Sequence, residues 1–94
     1  MNLDPLEAEV LGWLLDDSET PKTLAGDLGF EFGRSVSQES VCAALARLVA
    51  CGLAQAFEFD QHSKSFRPIV VSGLPASAWF MATSAGRALV RSTP

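Results

Sequence analysis

The hydrophobic period of this chain changes at Gly52, and that change limits the folds open to it. Before it, in "SQESVCAALARLVACGL", Val41, Leu45, Leu48 and Gly52 fall in a narrow arc of a helical wheel, with Ala44 and Val49 beside them. This is the core face of an amphipathic helix of about fifteen residues, with Ser37 offering capping chemistry at its start and Gly52 in the usual terminal position. After it, "LAQAFEFD" alternates at Leu53, Gln55, Phe57 and Phe59. Alternation with two aromatics is a strand pattern. A helix therefore gives way directly to a strand.

Upstream, two further helix starts carry the same kind of signal. Asp4 is placed as an N-cap with Pro5 at the first helical position, and Leu6, Val10, Trp13 and Leu14 follow as an apolar stripe. Glu7 and Glu9 suit the positive end of that helix, whereas Asp16 and Asp17 do not suit its negative end and mark its stop. Thr20 and Pro21 begin a second helix through Leu24, Ala25 and Leu28, with Gly29 expected to end it. "FEFGRSVS" breaks both periods and reads as a loop. Downstream, "QHSKS" is turn material and "FRPIVVSG" a returning strand, in which Pro68 points to an edge or a bulge. "LPASA" reads as a break and "AWFMAT" as a further strand, with Trp79 and Met81 on one face and Phe80 and Ala82 on the other. Thr83 caps a last short helix, "SAGRALVRS". Trp13 and Trp79 are expected in the core.

Ninety-four residues, 48% of them apolar, describe one small domain spanning residues 1–94. The mean hydropathy of +0.20 is high for such a domain, so either the core is rich or some apolar surface is covered by another subunit. No apolar run is long enough to span a membrane, and the acidic start "MNLDPLEAEV" is unlike a secretory signal, so the chain is expected to be cytoplasmic. Cys42 and Cys51 lie nine apart on one helix, point to opposite flanks and read as half-buried thiols rather than a disulfide. No His/Cys set has metal spacing, and nothing implies a cofactor.

Charge is unevenly spread. Residues 1–32 carry eight acids against Lys22, while residues 33–94 carry six cations against three acids. The net charge of −4 opposes general nucleic-acid binding. The basic remainder of the chain leaves a localised contact open.

The element order, three helices, a β-hairpin and a short helix, is that of a winged helix-turn-helix, an α+β fold. The segments "LAGDLG", "SVCAALARLVACGLAQ" and "WFMATSAGRAL" resemble a pattern recurring in bacterial winged-helix regulators, and most closely the PadR-like family. The resemblance covers roughly residues 5 to 91, and its motifs mark the fold better than the family. Twelve positions separate Gly29 from Val41, which matches the longer link between the two motif helices in that family. The resemblance implies that the third helix, from Ser37 to Arg47, enters the DNA major groove and that the hairpin tip "QHSKSFR" lies on phosphates. It implies a transcriptional regulator bound to double-stranded DNA, with the acidic first helix turned away.

Residue chemistry qualifies that implication. Opposite the core arc of the third helix lie Glu39, Ala43, Ala46 and Ala50, with Ser40 and Arg47 on the flanks and Gln38 at the start. Only Arg47 and Gln38 are strong base-reading types, whereas alanines suit a thymine methyl or another protein equally well. His62, Lys64 and Arg67 on the wing and Arg34 in the link are the candidate phosphate contacts. The wing return lacks the family's dense basic cluster. Family members also carry a C-terminal dimerisation helix or domain, so homodimer pairing is expected here through the first helix or "GRALVR". The alternative is a winged helix used for protein contact without DNA. One His, no Tyr, no phosphate loop and no nucleophile motif argue against an enzyme. Phe30, Phe32 and Trp79 are the residues with which a small-molecule pocket would be lined.

Overall fold

The computed structural model describes residues 3–15, 18–33, 35–69 and 78–92. It contains α1 (Pro5–Trp13), α2 (Pro21–Phe32), α3 (Gln38–Ala50), β1 (Ala54–Asp60), β2 (Ser65–Pro68), β3 (Trp79–Ala82) and α4 (Ser84–Ser92). The strands form one antiparallel sheet in the order β2-β1-β3. No helix among the described residues is long and apolar enough to cross a membrane.

Each expected N-cap is present. Asp4 Oδ1 accepts the Glu7 N–H at 2.7 Å, and Glu7 Oε1 returns the bond from the Asp4 N–H at 3.0 Å, a reciprocal capping box. Thr20 Oγ1 accepts the Thr23 N–H, and Ser37 Oγ accepts the Ser40 N–H at 3.0 Å. Thr83 Oγ1 accepts the Gly86 N–H at 3.1 Å while donating to the Gly52 carbonyl at 2.6 Å.

The end of α3 shows why helix and strand adjoin. Gly52 takes a left-handed φ of 75°, its N–H donates to the Val49 carbonyl, and the Leu53 N–H reaches the Leu48 carbonyl at 2.9 Å. This pair of bonds is a Schellman motif, which reverses the chain and drops Leu53 into the core. β1 begins one residue later.

The expected end of α2 at Gly29 is corrected. Gly29, Phe30 and the two residues after it are helical, and the left-handed residue is Gly33, with φ 67°. A glycine within a helix costs about 1 kcal/mol without ending it, whereas the left-handed turn that stops a helix needs the conformational freedom Gly33 supplies. The connection to α3 is therefore residues 33–37, shorter than the expected link. α1 also ends at Trp13, earlier than the acidic pair Asp16 and Asp17, which lies outside the described residues. The irregular return in "PIVVSGLPASA" lies mostly outside them as well. The two cysteines are free and half-buried, as expected.

The core joins Val10, Leu11 and Leu14 of α1 and its turn, Leu24 and Leu28 of α2, and Val41, Ala44, Leu45 and Leu48 of α3 to Leu53, Ala54, Ala56, Ala78 and Phe80. Phe80 is fully buried and Trp79 is not, which decides which face of β3 is inward. The inward face of β1 is the one with Ala54 and Ala56, whose small side chains leave room for the helices and for Phe80, the cross-strand partner of Ala56. Leu14 and Leu53 also accept backbone N–H bonds, from Ala82 at 3.1 Å and Thr83 at 3.0 Å, so the first turn of α4 sits against the α3–β1 junction.

Gly86 is the point of closest approach. A Cβ there would fall inside the contact radius of the Leu53 carbonyl oxygen and 3.1 Å from Leu11 Cδ1. Gly86→Ala should therefore destabilise the chain by about 1–3 kcal/mol or more, as overpacking against backbone does. Gly26→Ala, on α2 with nothing within 4 Å of the new methyl, should stabilise it by about 0.5–1 kcal/mol. Urea denaturation of the two variants against wild type measures both.

Candidate nucleic-acid interface

The buried residues of α3 fix which side of it faces solvent. With Val41, Ala44, Leu45 and Leu48 packed inward, Gln38, Glu39, Ser40, Ala43, Ala46, Arg47 and Ala50 are exposed. Of the residues expected at the groove, Ser40, Ala43 and Arg47 thus share the open side of the helix, whereas Gln38 lies half a turn round from Arg47, nearer the core side, and is exposed by its place in the first turn. Ser37 stands at its N-terminal rim, also exposed, with its hydroxyl bonded to that of Ser40 at 2.8 Å. Glu39 in the first turn complements the positive end of the helix.

Arg47 has a partner that sequence reasoning missed. Its Nε lies 3.2 Å from Glu7 Oε2, and its side chain is 51% exposed while that of Glu7 is 8% exposed. Glu7 is, among the described residues, the charged side chain that is buried. One acid of the first helix thus reaches α3 and pairs with a residue of its exposed side. The missed signal was the Asp4–Glu7 spacing, a capping box that turns the Glu7 carboxylate back along α1. Read only as a helix-dipole residue, Glu7 showed nothing of its second contact.

The wing is built by the β1–β2 register, which places Glu58 opposite Arg67, Phe59 opposite Phe66 and Asp60 opposite Ser65. Arg67 and Glu58 form an ion pair across the strands. At the tip, Asp60 Oδ1 accepts the His62 N–H at 3.0 Å, and the hydroxyls of Ser63 and Ser65 are 2.6 Å apart. Lys64 adopts a left-handed φ of 55°, a conformation costing a non-glycine residue about 1–2 kcal/mol. His62, Lys64 and Arg67 are all exposed on this one hairpin. Arg34, the fourth candidate phosphate contact, lies outside the described residues.

The Asp60 carboxyl is held below its ordinary pKa of 3.8, first by the His62 N–H and then by the Ser63 hydroxyl.

The outward face of the sheet carries a strip of aromatic side chains, one of which, Trp79, was expected in the core. Phe66 meets Phe57, Phe59 and Trp79 edge-to-face, at ring-centroid separations of 6.5, 5.3 and 5.7 Å. Trp79 is therefore not a core residue but part of this outer strip, because Phe80 takes the inward position of β3. Phe59 and Phe66 remain 40% and 44% exposed. The sequence alternation at Phe57 and Phe59 located the strand without saying which face the helices cover. Phe30 projects from α2 and is 92% exposed. It does not converge with Trp79 on a pocket, and the side chain of Phe32 lies outside the described residues. The depression beside α2, about 400 Å³ and open to solvent, is lined among the described residues by Ala25, Gly26, Gly29, Ser35 and Val36. No cluster of His, Cys, Asp and Glu suited to a metal occurs among the described residues.

Acidification should report on the wing. A carboxyl whose folded pKa is depressed contributes order above its unfolded value and loses it as pH falls through the folded one. The amide resonances of His62 and Ser63 should thus pass through a transition below about pH 4, as Asp60 takes up its proton. In Asp60→Ala that transition should be missing, as followed by two-dimensional NMR.

Compared with protein-family models and with curated protein sequences, the chain finds no match. Among solved structures it is similar to Bacillus subtilis PadR in complex with operator DNA, with a TM-score of 0.68 at 16% identity. The similarity covers 96% of this chain and 46% of that one, so the chain spans less than half the length of the PadR it matches. Three helices, a hairpin wing and an α4 seated on the α3–β1 junction, in an arrangement shared over nearly the whole chain with PadR, make this the winged helix-turn-helix fold.

Proposed function

We propose that this chain is a DNA-binding transcriptional regulator, a single winged-helix domain over residues 1–94 that acts as a homodimer. The observation that carries the reading is the open face of α3, uncovered from Gln38 to Ala50 and flanked by a hairpin bearing His62, Lys64 and Arg67. PadR, similar in fold, is seen in complex with operator DNA. In this reading α3 enters the major groove with Ser37 and Ser40 at its rim, Gln38 and Arg47 reading base edges and Ala43 against a thymine methyl. Arg34, His62, Lys64 and Arg67 hold phosphates. Two protomers place their α3 helices about 34 Å apart, one turn of duplex.

Enrichment of duplexes from a randomised pool, followed by fluorescence anisotropy across a salt series, tests this. The logarithm of affinity should fall linearly with that of salt. Lys64→Gly removes one cation at a position whose left-handed φ glycine adopts without strain, so the fold should stay intact while the salt slope shrinks by about one. No retained duplex at low salt would contradict the reading.

A second reading, a winged helix that contacts protein, is favoured by the aromatic strip on the outer sheet face and by the three alanines of α3. It expects Phe59→Ser with Phe66→Ser to abolish self-association in sedimentation while the fold is kept.

A further inference from the structure

A buried carboxylate is costly unless its oxygens are bonded, and Glu7 meets that demand with two different partners. Oε1 accepts the Asp4 N–H at 3.0 Å and Oε2 faces Arg47 Nε at 3.2 Å. The first bond belongs to the capping box, so the position of the carboxylate is set by the backbone of α1. Arg47 projects from the exposed side of α3 and stays half-exposed beyond that contact. A guanidinium is planar, and a bond at Nε to a fixed acceptor orients the plane.

We propose that Glu7 is a positioning residue for sequence reading. It holds the Arg47 guanidinium in one orientation against α3, so that the outer edge of the group meets a base pair in fixed register. It also places a negative charge beside the reading surface, which lowers the share of binding that comes from phosphate attraction. Glu7 thus trades indiscriminate affinity for discrimination. This rests on the DNA-binding reading above, with Arg47 as one of its base contacts.

The test uses two duplexes: the sequence enriched by the wild-type chain from a randomised pool, and a scrambled sequence of equal length and composition. Glu7→Gln keeps a side chain able to bond the Asp4 N–H while removing the charge. Its preference for the enriched duplex should fall about tenfold, the scale of one oriented arginine–base contact. Its affinity for the scrambled duplex should be unchanged or higher, and its salt slope steeper by about one. Arg47→Lys keeps the charge without the planar fork, and should lose a similar preference at an unchanged slope. If Glu7→Gln proves too unstable to measure, Glu7→Asp, which keeps the charge but shortens the reach to Arg47 Nε, makes the comparison and should lose the preference at an unchanged slope. In an Arg47→Ala background, Glu7→Gln should not change the preference further. Loss of affinity for both duplexes alike, a preference that survives Glu7→Gln, or the same loss in the Arg47→Ala background would each overturn the positioning role. A wild-type chain that enriches no duplex would instead overturn the DNA-binding reading itself.

Discussion

The fold depends on a short strand that is bonded along both edges. The Phe80 N–H donates to the Glu19 carbonyl at 2.8 Å and the Glu19 N–H returns the bond at 3.0 Å, while Ala56 of β1 is the partner of Phe80 on the other side. The same residue places its ring in the core with no exposed surface. A phenyl group so buried is worth about 3–5 kcal/mol relative to alanine. β3 thereby joins the α1–α2 connection, β1 and α4 in one piece. Ala82 extends the attachment to Leu14, and Thr83 extends it to Gly52 and Leu53.

That attachment is what gives α3 an outer surface. With α1 and α2 packed on one side and the sheet following from the Schellman turn, the helix buries Val41, Ala44, Leu45 and Leu48 and leaves the opposite arc to solvent. The hairpin continues from the same junction, so the wing and α3 are set by one rigid corner rather than by a linker. The surface so presented is sparing in charge. Arg47 is engaged by Glu7 and Arg67 by Glu58, while Lys64 sits at the tip in a backbone conformation fixed by the turn. Under the proposed function, a net charge of −4 requires such a surface to rely on placement more than on bulk attraction.

Much of this was legible in the sequence because caps are local chemistry. Asp4, Thr20, Ser37 and Thr83 each needed only a side-chain oxygen two or three residues before a helical N–H, and each makes that bond. The exposed arc of α3 was equally legible, since its 3.6-residue period names the buried positions. Where the reading failed, a long-range contact decided. Gly29 and Gly33 are equivalent as letters, and only the completed turn selects Gly33. Trp79 and Phe80 are both large and apolar, and the choice between them depends on the pairing of Phe80 with Glu19, which no periodicity in "DDSETPK" announces. Glu7 was visible as a first-turn acid, but its link to Arg47 spans forty positions of chain.

The central claim is that the α3 arc and the wing tip together form the surface that meets duplex DNA. Amide chemical-shift mapping, with the enriched duplex titrated into labelled protein, tests it most directly. The account predicts that the largest shifts fall on residues 37–47 and 61–67, with the outward aromatic strip of Phe57 and Trp79 little changed. Shifts centred on that strip and on Phe30, with α3 undisturbed, would contradict it.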